Sequence, residues 1–78
     1  MEYRFYVNNG KVKYFPGLER LSLIGLHSDS RDGRILQENI PLPYVPTAII
    51  TGEMTIAEML DTKRRLQQKK HEVTVTRR

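Results

Sequence analysis

The most concentrated chemistry in this sequence is cationic. Lys63, Arg64, Arg65, Lys69, Lys70, Arg77 and Arg78 fall within the last sixteen residues beside a single acid, Glu72, for a net charge of +6. The remaining 62 residues hold six Lys/Arg against eight Asp/Glu and net −2, so the overall +4 arises wholly in this tail. Part of the gradient is ordinary helix design. Glu53, Glu58 and Asp61 precede the cations, the order that a helix macrodipole favours, and Asp61 stands four residues before Arg65, the better orientation for an ion pair. Crediting Asp61 and Glu72 with one cation each still leaves five unpaired. Folding gains little from such a surplus, and phosphate is its commonest partner.

A second set of residues extends the same chemistry. Arg4, Tyr6, Lys11 and Lys13 alternate with larger apolar side chains near the N-terminus and are expected on one outer face. An aromatic ring among cations is the mix that stacks bases in single-strand binders. Whether this patch and the C-terminal one share a side is not fixed by the sequence.

Other chemistries find no support. The chain has no Cys, which removes disulfides and thiolate metal sites. His27 and His71 are far apart, and neither has a second ligand at metal-binding spacing. Ser28, Asp29 and Ser30 beside His27 read as a polar turn, because adjacency along a loop is not triad geometry. Anchored on Gly33, a calcium loop would place Ser28 and Ser30 at its first ligand positions and Asn39 where a bidentate Glu is needed, so that reading fails. Glu38 opposite His27 reads as an ordinary cross-strand pair. The glycines are scattered singly, which argues against a phosphate loop, and no acid sits in an apolar run where its proton affinity would be tuned for catalysis. The expectation is a non-enzymatic binding protein with no cofactor and no metal.

The elements that would position these groups follow from periodicity. Tyr3, Phe5 and Val7 alternate with polar residues, Asn9-Gly10 is a type I′ turn signal, and Val12 and Tyr14 alternate again, which predicts a β-hairpin with Val7 facing Val12 and Phe5 facing Tyr14. Leu18 to His27 fits either a helical stripe or a strand, and a strand over about 20–27 is preferred. Asp32-Gly33 would then turn it into a returning strand from Arg34 to Ile40. Pro41, Pro43 and Pro46 forbid regular structure and predict an extended crossover. Pro43 to Pro46 also matches the PxxP pattern of SH3 ligands, but the nearest cation is Arg34, and a crossover is the better reading.

Thr47 to Thr51 is a short apolar strand candidate. Thr55 with Glu58 forms a capping box, and Met54 with Met59 a hydrophobic staple, so a helix is predicted over about 55–70. Ile56, Met59, Leu60 and Leu66, with the stem of Lys63, are its expected buried stripe. Glu72 to Thr76 is a final strand. The fold class is therefore α+β: a single domain, 1–78, with five to six short strands in two N-terminal hairpins and a strand-helix-strand unit, one helix covering a face of the sheet.

A domain of this length buries little surface, and a homodimer is one way to bury more. The first residues lack an apolar signal segment, and no run approaches membrane-spanning length, so a cytoplasmic protein is expected. Two functions follow. The first is contact with the backbone of DNA or RNA, without sequence readout, through Lys63 to Arg78. The alternative is a protein–protein module, such as a small phage- or mobile-element-type regulator or inhibitor of a larger host protein. It would present Tyr6, Phe15 and Tyr44 as anchors and meet an acidic surface with its cations.

Overall fold

The computed structural model describes residues 1–26 and 39–77. Four strands and one helix occur among them: β1 (Glu2–Val7), β2 (Ser22–Gly25), β3 (Ala48–Glu53), α1 (Ile56–Gln68) and β4 (Val73–Arg77), with a 3-10 turn at Leu18–Arg20. The sheet order is β2-β3-β1-β4, and every neighbouring pair is antiparallel. The α+β class therefore stands; the described residues form a four-stranded open sheet, which does not match the expected five to six strands in two hairpins exactly. Because β3 and β4 both run against β1, they are parallel to each other. The predicted strand-helix-strand unit exists, and its crossover passes over β1.

The first hairpin is half right. Asn9 and Gly10 both take positive φ, 71° and 83°, as a type I′ turn requires. The second strand does not form, and Lys11 to Phe15 is irregular. Both edges of β1 are already occupied, by β3 and β4, which offer longer runs of β-branched residues than Lys11–Tyr14. Tyr14, expected opposite Phe5 in the core, is instead 67% exposed. In the second predicted hairpin, β2 forms within the preferred strand, but its partner is β3. Arg34 to Glu38, with His27 and the Ser28–Gly33 turn, lies outside the described residues. Asn39 and Ile40 end in helix and turn.

A central strand flanked on both edges can be buried on both faces, and β1 is. Tyr3, Phe5 and Val7 meet Ala48 and Ile50 of β3 on the helix-covered side, with Phe15, Leu18, Met54 and Leu66 completing that core. Tyr6, in the alternate register, is covered on the other side by Leu42 and Tyr44. The proline segment is thus the lid of a second small core. Pro46 is fully buried, and the Tyr44 hydroxyl reaches the Tyr6 carbonyl (2.8 Å) and Thr74 Oγ1 (2.7 Å). An SH3-type reading of Pro43–Pro46 does not survive this burial.

The helix start matches its sequence signals. Thr55 Oγ1 accepts from the Glu58 amide at 3.2 Å, and the Thr55 amide donates back to Glu58 Oε1 at 3.1 Å. Met54 and Met59 both join the main core. The buried stripe needs correction, because Ile56 and Leu60 are 56% and 55% exposed. On a wheel of 3.6 residues per turn they sit well round from Leu66, which is fully buried. Phe15, Leu18 and Leu21 from the segment before β2 complete the core on the other flank of the helix, beside Arg65.

Candidate nucleic-acid interface

The turn after β1 is clamped to the end of α1, and that clamp builds the site. Asn8 donates its amide to the Glu72 carbonyl (3.2 Å), and its Oδ1 accepts the Glu72 amide (2.9 Å). Asn9 Nδ2 donates to the Lys70 carbonyl at 2.6 Å. His71, buried at this junction, donates from Nδ1 to the Asn8 carbonyl at 2.5 Å. The helix closes with Lys70 in the left-handed region (φ 67°), its amide on Gln67 O and the His71 amide on Leu66 O. That pattern satisfies the last carbonyls of the helix.

Lys11 and Lys13 follow directly from the clamped turn. The chain then reaches Phe15, which lies with Arg64, Arg65, Gln68 and Lys69 around a groove of about 450 Å³. From the clamp the chain crosses toward β3 and β2, where the Gly10 carbonyl accepts from Thr47 Oγ1 and Lys11 lies with Leu23, Leu26 and Ala48, and it returns to the helix at Phe15. Lys11, Lys13, Arg64, Lys69 and Lys70 are all exposed. Arg64, Lys69 and Lys70 form a basic group at the helix end, and Lys13 stands two residues before the Phe15 that lines the same groove.

Not all the predicted residues belong to this group. Arg65 is engaged three ways: Nε to Asp61 at 2.9 Å, Nη1 to the Pro16 carbonyl at 3.1 Å, and its guanidinium 5.9 Å from the centre of the Phe15 ring. It ties α1 to the preceding segment. Arg64 shares the same Asp61 at 2.6 Å, and these guanidinium partners, led by the Arg64 hydrogen bond, hold the Asp61 carboxyl below the usual range. Lys63 is half-buried. Arg77 sits opposite Tyr3 at the far end of β4, with Nη1 near Met1 Sδ. At about 3.3 Å per strand residue it is roughly 20 Å from the Lys70 end. Arg78 lies outside the described residues. The run from Lys63 to Arg78, continuous in sequence, is thus split between two poles by the reversal at His71.

The N-terminal patch is also divided. Arg4 projects to the sheet face opposite the helix, in register with Thr51 and Thr76, and is half-buried. Tyr6 is 3% exposed beneath Leu42 and Tyr44 and offers no ring for stacking. Lys11 lies on the β2–β3 side, and Lys13 stands two residues before Phe15, which lines the groove with Arg64 and Lys69. The aromatic beside Lys13 is Tyr14, which the alternation pattern had assigned to the core. Its hydroxyl donates to Glu19 Oε2 at 3.2 Å, and the Glu19 charge raises its pKa above the ordinary value. Phe15 and Tyr44, the other expected anchors, are buried.

Among the described residues no group of three or more His, Asp or Glu is arranged to hold a metal, and no helix is long and apolar enough to cross a membrane. No known family model matches the chain, and no curated protein or solved structure shows significant similarity to it.

Proposed function

We propose that this protein is a non-enzymatic binder of nucleic-acid backbone, acting through Lys11, Lys13, Arg64, Lys69 and Lys70 without sequence readout. The observation that supports the reading is the group of exposed cations Arg64, Lys69 and Lys70 at the helix end, with Lys13 two residues before the Phe15 of the same groove. The helix C-terminus offsets some of their mutual repulsion, and a polyanion would offset the rest. Tyr14 beside Lys13 supplies a face on which a base can stack. Five phosphate contacts predict a log K against log[salt] slope of about −4.5 on duplex and about −3.5 on single strands. Fluorescence anisotropy with labelled DNA and RNA across a salt series tests this. Each Lys→Gln change at positions 11, 13, 69 or 70 should flatten the slope by about 0.9 on duplex. Arg4→Gln, on the opposite sheet face, should leave it unchanged. No binding to either nucleic acid at low salt, in protein shown to be folded, would refute the reading.

The second reading is a protein–protein module, a regulator or inhibitor of a larger protein. The aromatics that first suggested it are buried, but the exposed Ile56 and Leu60 favour it on new grounds. Charge reversal at Lys69 and Lys70 separates the two. Loss of nucleic-acid affinity supports the first, whereas unchanged affinity with loss of a nuclease-resistant partner supports the second.

A further inference from the structure

The edge of the sheet at β4 and the flank of α1 beside it form one surface. Leu21 covers β3 so closely that a Cβ at Gly52 would fall on its side chain. Arg65 binds Pro16 in the same segment, so that flank of α1 faces β3. Ile56, Leu60, Lys63 and Gln67, on the opposite flank by helical periodicity, turn toward β4. Met1 supports this placement, because its sulfur lies 3.6 Å from Arg77 of β4 and its side chain lines a shallow depression with Ile56. Met1, Ile56 and Leu60 are each more than half exposed. On its outer edge β4 has no partner among the described residues. Its core, Val-Thr-Val-Thr, carries none of the Pro, Lys, Gly or bulge devices that protect edges from pairing.

We propose that this surface binds a second copy of the chain, the two β4 strands pairing antiparallel about Val75 to give a continuous eight-stranded sheet. Three features of the chain favour itself as the occupant. In that register Val75 faces Val75 on the helix side, and Thr74 faces Thr76 on the other, a favourable cross-strand pair. The helices fit as well. The main strand contacts of α1 are with β4 and β1, and an axis midway between those strands lies about 10 Å from its two-fold mate at ordinary strand spacing. Packed helices sit about 8–10 Å apart. Counting up from His71 at about 3.3 Å per strand residue, and from Lys70 at about 1.5 Å per helix residue, places Leu60 level with Val75. Leu60 then meets its counterpart near the dyad, and Ile56 covers the stems of Lys63 and Arg64 of the second copy.

The helix macrodipoles are also antiparallel in this arrangement, each helix start lying alongside the C-terminal end of its mate. The pairing also sets Arg77 of one copy opposite Val73 of the other, beside its Lys69–Lys70 pole. It thus reunites the cations that a single copy separates. The dimer does not depend on the nucleic-acid reading.

Sedimentation equilibrium of the purified chain, from low micromolar to submillimolar concentration, should show a monomer–dimer equilibrium. Leu60→Asp should weaken it at least about tenfold, as expected for a central apolar contact made repulsive, while far-UV circular dichroism stays unchanged because the site is exposed. The chain has no native Cys, so Val75→Cys gives a second test. Antiparallel neighbours sit about 4.5–5.5 Å apart at Cα, within disulfide range, and mild oxidation should yield a cross-linked dimer. Ser22→Cys on the β2 edge should not cross-link. A chain that stays monomeric throughout, with Val75→Cys uncross-linked, overturns the proposal. So does a dimer indifferent to Leu60→Asp, or one trapped through Ser22.

Discussion

Replacing Tyr44 by Phe isolates a single oxygen that joins three parts of the fold. The hydroxyl of Tyr44, carried by the proline segment, reaches the carbonyl of Tyr6 on β1 and the hydroxyl of Thr74 on β4. The phenyl ring of the variant keeps the packing on Tyr6 and Leu42, so the change removes hydrogen bonds alone. Each is worth about 0.5–1.5 kcal/mol net, with more lost where a buried partner is left unpaired. Thr74 is half-buried and regains water by rotation, whereas the Tyr6 carbonyl is shielded. The expected loss is therefore about 1–2.5 kcal/mol. For a chain of 78 residues, whose total stability is of order 4–12 kcal/mol, that lowers Tm by roughly 5–15 °C.

Urea unfolding followed by circular dichroism measures the difference. The parent should also show a pH dependence that the variant lacks. Burial pushes the Tyr44 pKa above its ordinary value of 10.0. Above that value the unfolded chain releases the proton while the folded chain still holds it, so stability falls as pH rises through this window. A Tyr44→Phe variant within about 0.5 kcal/mol of the parent, and parallel to it in alkaline pH, would refute the claim that this hydroxyl fastens the proline segment to the sheet.

Three further outcomes follow from the same geometry. Thr55→Ala removes the cap from α1 and should cost about 1 kcal/mol in urea unfolding. Glu58, its partner in the box, has its pKa held below 4.5, chiefly by the Thr55 amide, so the stabilisation it adds is present above that value and is lost as pH falls through the folded pKa. An acid titration of stability should therefore be clearly shallower in Glu58→Gln and only slightly shallower in Thr55→Ala, which removes the hydroxyl and keeps the amide. Lys70→Gly relieves a left-handed non-glycine residue at the helix end and should stabilise by about 0.5–1 kcal/mol, while flattening the salt slope of nucleic-acid binding by one contact. The gain in stability with loss of affinity separates the two roles of this residue. Gly52→Ala should destabilise, because the added methyl meets Leu21, and Leu21→Ala in the same chain should recover part of the loss, a coupling that thermal melts of the four variants would read.

Local signals in the sequence translated faithfully into structure, and non-local ones did not. The capping box, the staple, the positive-φ Asn9-Gly10 turn and the proline crossover each depend on a few neighbouring residues, and each is present. The partner of a strand is a competition among all strands. Lys11–Tyr14 had the right alternation to pair with β1 and lost to β3 and β4, which brought stronger runs to both edges. The roll of α1 was illegible for a related reason. Its apolar positions span a wide arc, and only the presence of Phe15, Leu18 and Leu21 over the sheet decides which part of that arc is covered. Tyr6 and Tyr14 exchanged environments because one face of β1 carries the helix and the other carries the proline segment, so alternation along β1 could not separate buried from exposed.

The basic tail shows how reversal of the chain reassigns charge. Read along the sequence, Lys63 to Arg78 is one patch with five surplus cations. Folded, Asp61 pairs with both Arg64 and Arg65, of which Arg64 stays exposed, the turn at His71 sends Arg77 to the other end of β4, and Arg64, Lys69 and Lys70 remain at the helix end, where the macrodipole favours cations. Lys13 adds to that group through its place two residues before Phe15, which lines the groove with Arg64 and Lys69, while Lys11 stands on the β2–β3 side. Glu72, exposed at the clamp, offsets part of the charge, and an anionic partner would offset the rest.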